Sequence, residues 1–193
     1  MTPIYAAIGV LFVAAITPGP NNYIVLEAGM RRDWVNASAG IAGVIVGSIL
    51  QLALAWGGLT AAVHFFPGLR IALAVVGGTY LLWLSAGLIM GGDETERTSP
   101  LPRGILGVAA FQLLNPKGWV LVTTLAAALP GWELGALAAL LAFVAGLCLT
   151  VWVGAGWIAS PLLTRPHGKL WFDRAMGALL AASAGGIVVH AMV

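Results

Sequence analysis

Charge is what this sequence has least of. Only 8% of its 193 residues are Asp, Glu, Lys or Arg, against roughly 25% in an ordinary soluble domain. With 60% hydrophobic residues the chain has too little polar surface to stay in water. An integral membrane protein is expected, with room for one domain of several spans. A net charge of +2 is too small to point to a nucleic-acid partner. The lone cysteine, Cys148, excludes an intrachain disulfide. No basic residue opens the first apolar run, Thr2 to Ile16, and apolar sequence resumes at Tyr23. That stretch therefore reads as a retained span and not as a cleaved leader.

Long apolar runs are what the sequence does have. Six segments, Ile4 to Ala28, Ala37 to Val63, Leu69 to Met90, Ile105 to Leu129, Leu134 to Ile158 and Leu170 to Met192, each suffice for a hydrocarbon core that takes about 20 helical residues. Short turn-rich connections separate them, and the polar stretch 91–104 divides the chain into 1–90 and 105–193. Basic residues are unevenly shared. Arg31, Arg32, Arg97, Arg103, Arg165, Lys169 and Arg174 fall on one side of the expected topology and Arg70 on the other. The positive-inside rule then puts the first, third and fifth loops in the cytoplasm and both termini outside. Because each half holds an odd number of spans, the halves enter the bilayer from opposite sides. The fold class expected is an all-α integral membrane protein, a single membrane domain of six transmembrane helices arranged as two inverted three-helix repeats.

Two of the six spans are interrupted at matching places. "TPGPNN", residues 17 to 22, breaks the first, and "NPKGW", residues 115 to 119, breaks the fourth. Such paired interruptions are a sequence pointer to a transporter's substrate site. A proline lacks an N–H and displaces the carbonyl four residues back, so Pro18, Pro20 and Pro116 are expected to free the carbonyls of Ala14, Ile16 and Gln112. Beyond each break a new half-helix begins. Its leading amides, around Asn21 to Tyr23 and Lys117 to Trp119, lack intrahelical partners and suit a carboxylate.

Lys117 is about 12 residues from either end of its span, or about 18 Å at the helical rise. A lysine at that depth costs at least roughly 2.5 kcal/mol on insertion scales. It is expected to bind a substrate carboxylate or to carry a proton during the cycle. Gln112, one turn before Asn115, and Gln51, midway along the second span, either line the cavity or join helices. Glu27 is a second candidate for proton coupling, with Arg31 one turn on as a plain ion-pair partner. Asp173 and Arg174 sit at a membrane boundary, and His64 and His190 at span ends. Small residues repeat every fourth position at Ala39, Gly43 and Gly47 and at Gly177, Ala181 and Gly185. These stripes suit close helix packing within the chain, or a homodimer seam.

Taken together, "TPGPNN", the glycine stripe of the next span, "GGTYLLWLSAGL" and "FQLLNPKGW" resemble the LysE/RhtB amino-acid exporters over nearly the whole chain. The pairing of "TPGPNN" with "NPKGW" looks most like the cysteine/O-acetylserine exporter branch. The resemblance implies six spans in the bacterial inner membrane, export of a small zwitterionic amino acid or derivative, and coupling to the proton gradient. It carries Thr17, Pro18, Gly19, Pro20, Asn21, Asn22, Asn115, Pro116 and Lys117 over as site residues. Glu27 and Ser85 depart from the family pattern, which has smaller or neutral residues there. No cofactor is expected and no enzymatic role. The alternative is a metal or inorganic-ion exporter on a related scaffold, for which the spans offer few carboxylates, thiols or imidazoles.

Overall fold

A computed structural model describes residues 2–59, 67–90, 101–161 and 167–192. His64, Arg97, Arg165 and residues 91–100 of the expected linker lie outside the described residues, as do the side chains of Arg70, Lys169 and His190. The described chain is helical: α1 (Thr2–Ile16), α2 (Pro20–Met30), α3 (Trp34–Leu54), α4 (Pro67–Met90), α5 (Gly104–Leu113), α6 (Pro116–Ala128), α7 (Leu134–Ala159) and α8 (Gly168–Met192). A π-helical turn, Ala55–Leu59, extends α3 and ends where Gly58 takes a φ of 107°.

Trp34–Gly58 and Leu134–Ala159 are each long and apolar enough to cross a membrane. Two further crossings arise if bent pairs count as single spans: Ile4–Ile16 with Pro20–Met30, bent by 55°, and Gly104–Leu113 with Pro116–Ala128, bent by 72°. The bends fall where the prolines are. Pro20 and Pro116 both occupy the first turn of the second half-helix, where a missing N–H costs nothing and the fixed φ suits a new start. At the other end of α2, Asp33 caps α3 by accepting from the Asn36 amide at 3.0 Å and its side chain at 2.6 Å. Those two bonds, the side-chain one foremost, hold the Asp33 carboxyl below its usual range.

Packing depends on places where a side chain is missing. A Cβ on Gly43 or Gly47 would press on Ile105, Val108, Ala109 and Gln112, so α3 meets α5 at backbone distance. A Cβ on Gly29 would strike the Val153 carbonyl and one on Gly156 the Leu26 carbonyl. This reciprocal contact makes α2 and α7 touch main chain to main chain. Gly177 meets Ile89 and Ser85 of α4, and Ser85 Oγ donates to the Gly177 carbonyl at 2.8 Å. Gly43, Gly47 and Gly177 of the two stripes thus serve contacts within the chain, while Gly185 has open space around it. Between lipid-soluble helices such close approach is what dispersion and weak polar contacts require. Large apolar side chains such as Val35, Leu106, Phe143 and Ile158 face outward instead.

Replacing Gly156 by leucine is expected to cost about 3 kcal/mol or more, because backbone and not a side chain stands in the way. Gly154, with nothing within 4 Å of a Cβ, is the control. Melting of the two purified leucine variants in detergent should show a large loss for the first and little change for the second.

Candidate functional site

The two breaks come together. Between them lies a cavity of about 50 Å³ whose polar lining is Gly19, Asn21, Asn22, Ser48, Gln112, Asn115 and Lys117. Pro20, Val44, Leu121, Leu141, Ala145 and Leu149 are among its apolar walls. Of the residues expected at the site, Thr17 and Pro18 are exposed and Pro116 stands outside the lining. Glu27 is away from the cavity, paired with Arg31 at 3.1 Å near the end of α2.

Gln112 is the centre of a buried polar network. Its Oε1 accepts from Asn21 Nδ2 at 2.7 Å and from Asn115 Nδ2 at 3.0 Å. Its Nε2 donates to Ser48 Oγ and to Gln51 Oε1, both at 2.9 Å. One side chain therefore fills its four hydrogen-bonding places and ties α2, α3, α5 and the start of α6 together. Gln51 completes the joint by donating to the Gln112 carbonyl at 2.8 Å. Gly118 supplies the room, since a Cβ there would collide with both glutamine side chains.

The freed backbone groups are fewer than the prolines alone predict. The Ile16 carbonyl accepts Trp152 Nε1 at 3.1 Å, and Trp119 Nε1 bonds the Leu113 carbonyl at 2.8 Å. An indole thus closes the end of each first half-helix. The Gln112 carbonyl is held by Gln51 and by the Asn115 amide at 3.0 Å. Among the leading amides, Tyr23 is bonded to the Gly19 carbonyl at 3.0 Å and Trp119 to that of Asn115 at 3.3 Å. Asn115 Oδ1 caps the Lys117 amide at 3.1 Å. Gly19, by contrast, offers α2 no side-chain cap, so the amides of Asn21 and Asn22 remain as donors at that helix start.

Lys117 crosses from one broken pair to the other. Its Nζ donates to the Thr17 carbonyl at 2.8 Å, which also accepts Asn22 Nδ2 at 2.8 Å. A Cβ on Gly19 would lie 3.2 Å from Nζ, so the glycine leaves the lysine its path. Among the described residues one buried side-chain polar atom is left over. Asn21 Oδ1 is buried without a hydrogen-bond partner, a state that costs about 1–3 kcal/mol. Among the described residues no three His, Cys, Asp or Glu side chains gather as metal ligands would.

A family model described as LysE type translocator matches residues 12–190. The chain belongs to that family. Among curated relatives of this translocator, the threonine efflux protein of Escherichia coli (strain K12) is 27% identical, the match covering 94% of this chain and 93% of the relative. The leucine efflux protein of Enterobacter sp. (strain 638) is 30% identical over 57% of this chain and 54% of its own. The cysteine/O-acetylserine efflux protein of Salmonella paratyphi A is 28% identical over 54% of each. No solved structure matches. The three relatives carry different substrates in their names and share the word efflux.

Sequence reasoning named most of this site but not Ser48, Trp152 or the free atom of Asn21. Ser48 was within reach, since it lies one helical turn before Gln51 and shares its face. Trp152 carries no local signal, because its partner is 136 positions away. Tyr23, which donates to Asp173 at 2.7 Å and stacks on Phe172, gives that aspartate a partner on α2 in the same way.

Proposed function

We propose that this translocator exports a small zwitterionic amino acid or derivative from the cytoplasm across the bacterial inner membrane, as a secondary transporter driven by the proton gradient. Support comes above all from the Lys117 amino group, carried by α6, which bonds the Thr17 carbonyl at the end of α1 beside the cavity that both breaks share. The substrate carboxylate would take that ammonium together with the Asn21 and Asn22 amides, at the positive end of α2. The cavity's further walls are Val44, Leu121, Leu141, Ala145 and Leu149, which suit an uncharged side chain and disfavour a basic one.

In the same reading the chain is one membrane domain of six spans, residues 1–90 and 105–193 being inverted three-helix repeats joined by 91–104, with both termini outside. Arg31 then ends α2 and Arg103 precedes α5 at the cytoplasmic face. The close glycine crossings, α2 on α7 and α3 on α5, belong to that half. The opposite half holds an apolar cleft of about 230 Å³ between α1 and α6, lined by Val10, Leu11, Leu121 and Leu125 among others. On that topology the form described would be closed toward the cytoplasm. A cavity of 50 Å³ has room for a water or two, so loading requires the two repeats to rock apart around the site. Lys117 and Glu27 are the candidate proton carriers.

Counterflow in proteoliposomes tests this directly. Trans-loaded serine, threonine, cysteine or leucine is expected to drive uptake of the labelled compound, lysine and arginine are not, and an imposed pH gradient should raise accumulation several-fold. Accumulation blind to the gradient would remove proton coupling. A changed tolerance of cells to divalent metals, with no amino acid exported, would favour the ion-exporter reading.

A further inference from the structure

Resting on that reading, we propose that Asn21 Oδ1 is the acceptor for the substrate's ammonium group, and that Gln112 is the positioning residue that aims it. Several acceptors around the cavity are already taken. The Ile16 carbonyl is closed by Trp152, that of Thr17 by Asn22 and Lys117, and that of Gln112 by Gln51. Asn115 Oδ1 caps the Lys117 amide, and Gln51 Oε1 and Ser48 Oγ each accept from Gln112. Among the buried side-chain atoms of the described residues, Asn21 Oδ1 is the one left without a partner.

Its orientation is fixed. Asn21 Nδ2 lies 2.7 Å from Gln112 Oε1, and turning the amide over would set two carbonyl oxygens against each other at that distance. Gln112 cannot turn either, because its Nε2 is committed to Ser48 and Gln51. The free oxygen is therefore a consequence of the network and not of a choice local to Asn21. The chemistry of the ligand fits the same residue. An α-amino acid carries its carboxylate and ammonium on one carbon, so their partners must be neighbours. Asn21 offers a main-chain donor at the start of α2 and a side-chain acceptor within one residue. A neutral acceptor also suits a site that binds a carboxylate close by, where an acidic side chain would repel it.

The test separates the two ends of the substrate. The purified protein in nanodiscs is titrated by calorimetry with L-leucine and L-threonine, and with 4-methylpentanoate and 3-hydroxybutanoate, which keep the carboxylate and lack the ammonium. Asn21→Ala is expected to weaken the amino acids about tenfold or more and to leave the two des-amino acids within about twofold of wild type. Binding of the des-amino acids shows in the same sample that the variant is folded. Gln112→Leu, which releases the Asn21 amide, is expected to erase the preference for amino over des-amino acids, and Gln112→Glu, which keeps an oxygen facing Asn21, to restore most of it. An unchanged preference in Asn21→Ala, or an equal loss of both ligand classes, overturns the assignment. A wild-type protein that binds none of the four overturns the exporter reading itself.

Discussion

Lys117→Met is expected to lose at least about 95% of amino-acid counterflow while folding as well as the parent. Two effects oppose each other in this substitution, and their sizes decide the outcome. Burying an ammonium in a membrane protein costs stability, so a methionine of similar length relieves that cost. What is lost in return is one bond to the Thr17 carbonyl, which keeps Asn22 as a donor at 2.8 Å. The melting temperature should therefore hold or rise. Transport is different, because the carboxylate of a substrate would meet an apolar group at its main cationic contact. Truncating one partner of a buried, hydrogen-bonded charge pair costs about 2–5 kcal/mol, which is about 30-fold to several thousand-fold in affinity. Lys117→Arg sharpens the reading. It keeps the charge but replaces a compact ammonium with a broad planar fork, next to Gly19, whose space the lysine nitrogen already borders. Partial activity is expected there. Counterflow at matched protein density, alongside melting curves, checks both variants, and a fully active methionine variant would take Lys117 out of the mechanism.

How far the sequence could reach is visible in these same residues. The positions of the helices were legible because they depend on local rules: apolar length sets a span, and a proline with an asparagine before or after it ends one half-helix and starts another. Lys117 was legible because a charge at depth is costly wherever it points. The partner at the other end of a bond was not legible. Nothing near Ile16 says that an indole from α7 will cover its carbonyl, or that Gly29 and Gly156 will be pressed backbone to backbone while Gly185 stands free. The regular stripes gave a true signal for Gly43, Gly47 and Gly177, and an irregular pair carried the closest crossing. Counting proline-freed carbonyls also overstates the open acceptors, since a buried polar group is satisfied by whatever side chain can reach it. Of the polar groups around the cavity, the buried side-chain atom left without a partner among the described residues belongs to Asn21.

Gln112→Leu is expected to lower stability by about 4 kcal/mol. Gln112 is 1% exposed and makes four side-chain hydrogen bonds. Leucine fills nearly the same volume, so packing is kept and the polar loss stands alone. Asn21 Nδ2, Asn115 Nδ2 and Gln51 Oε1 would each be left without the partner described, and the adjoining cavity of about 50 Å³ has room for only a water or two to replace it. At about 1–3 kcal/mol for each orphaned group, a total near 4 kcal/mol is a conservative figure, or a fall of about 10 °C in melting temperature for a chain of this size. Gln112→Glu bounds the effect from the other side. Its Oε1 still accepts from both asparagines, Ser48 can turn its hydroxyl to donate, and the new conflict is confined to Gln51. It should therefore melt well above the leucine variant. If the leucine variant melts within about 3 °C of wild type, the four bonds do not hold the two broken helices together. The cavity would then have to be maintained by the apolar contacts and glycine crossings alone.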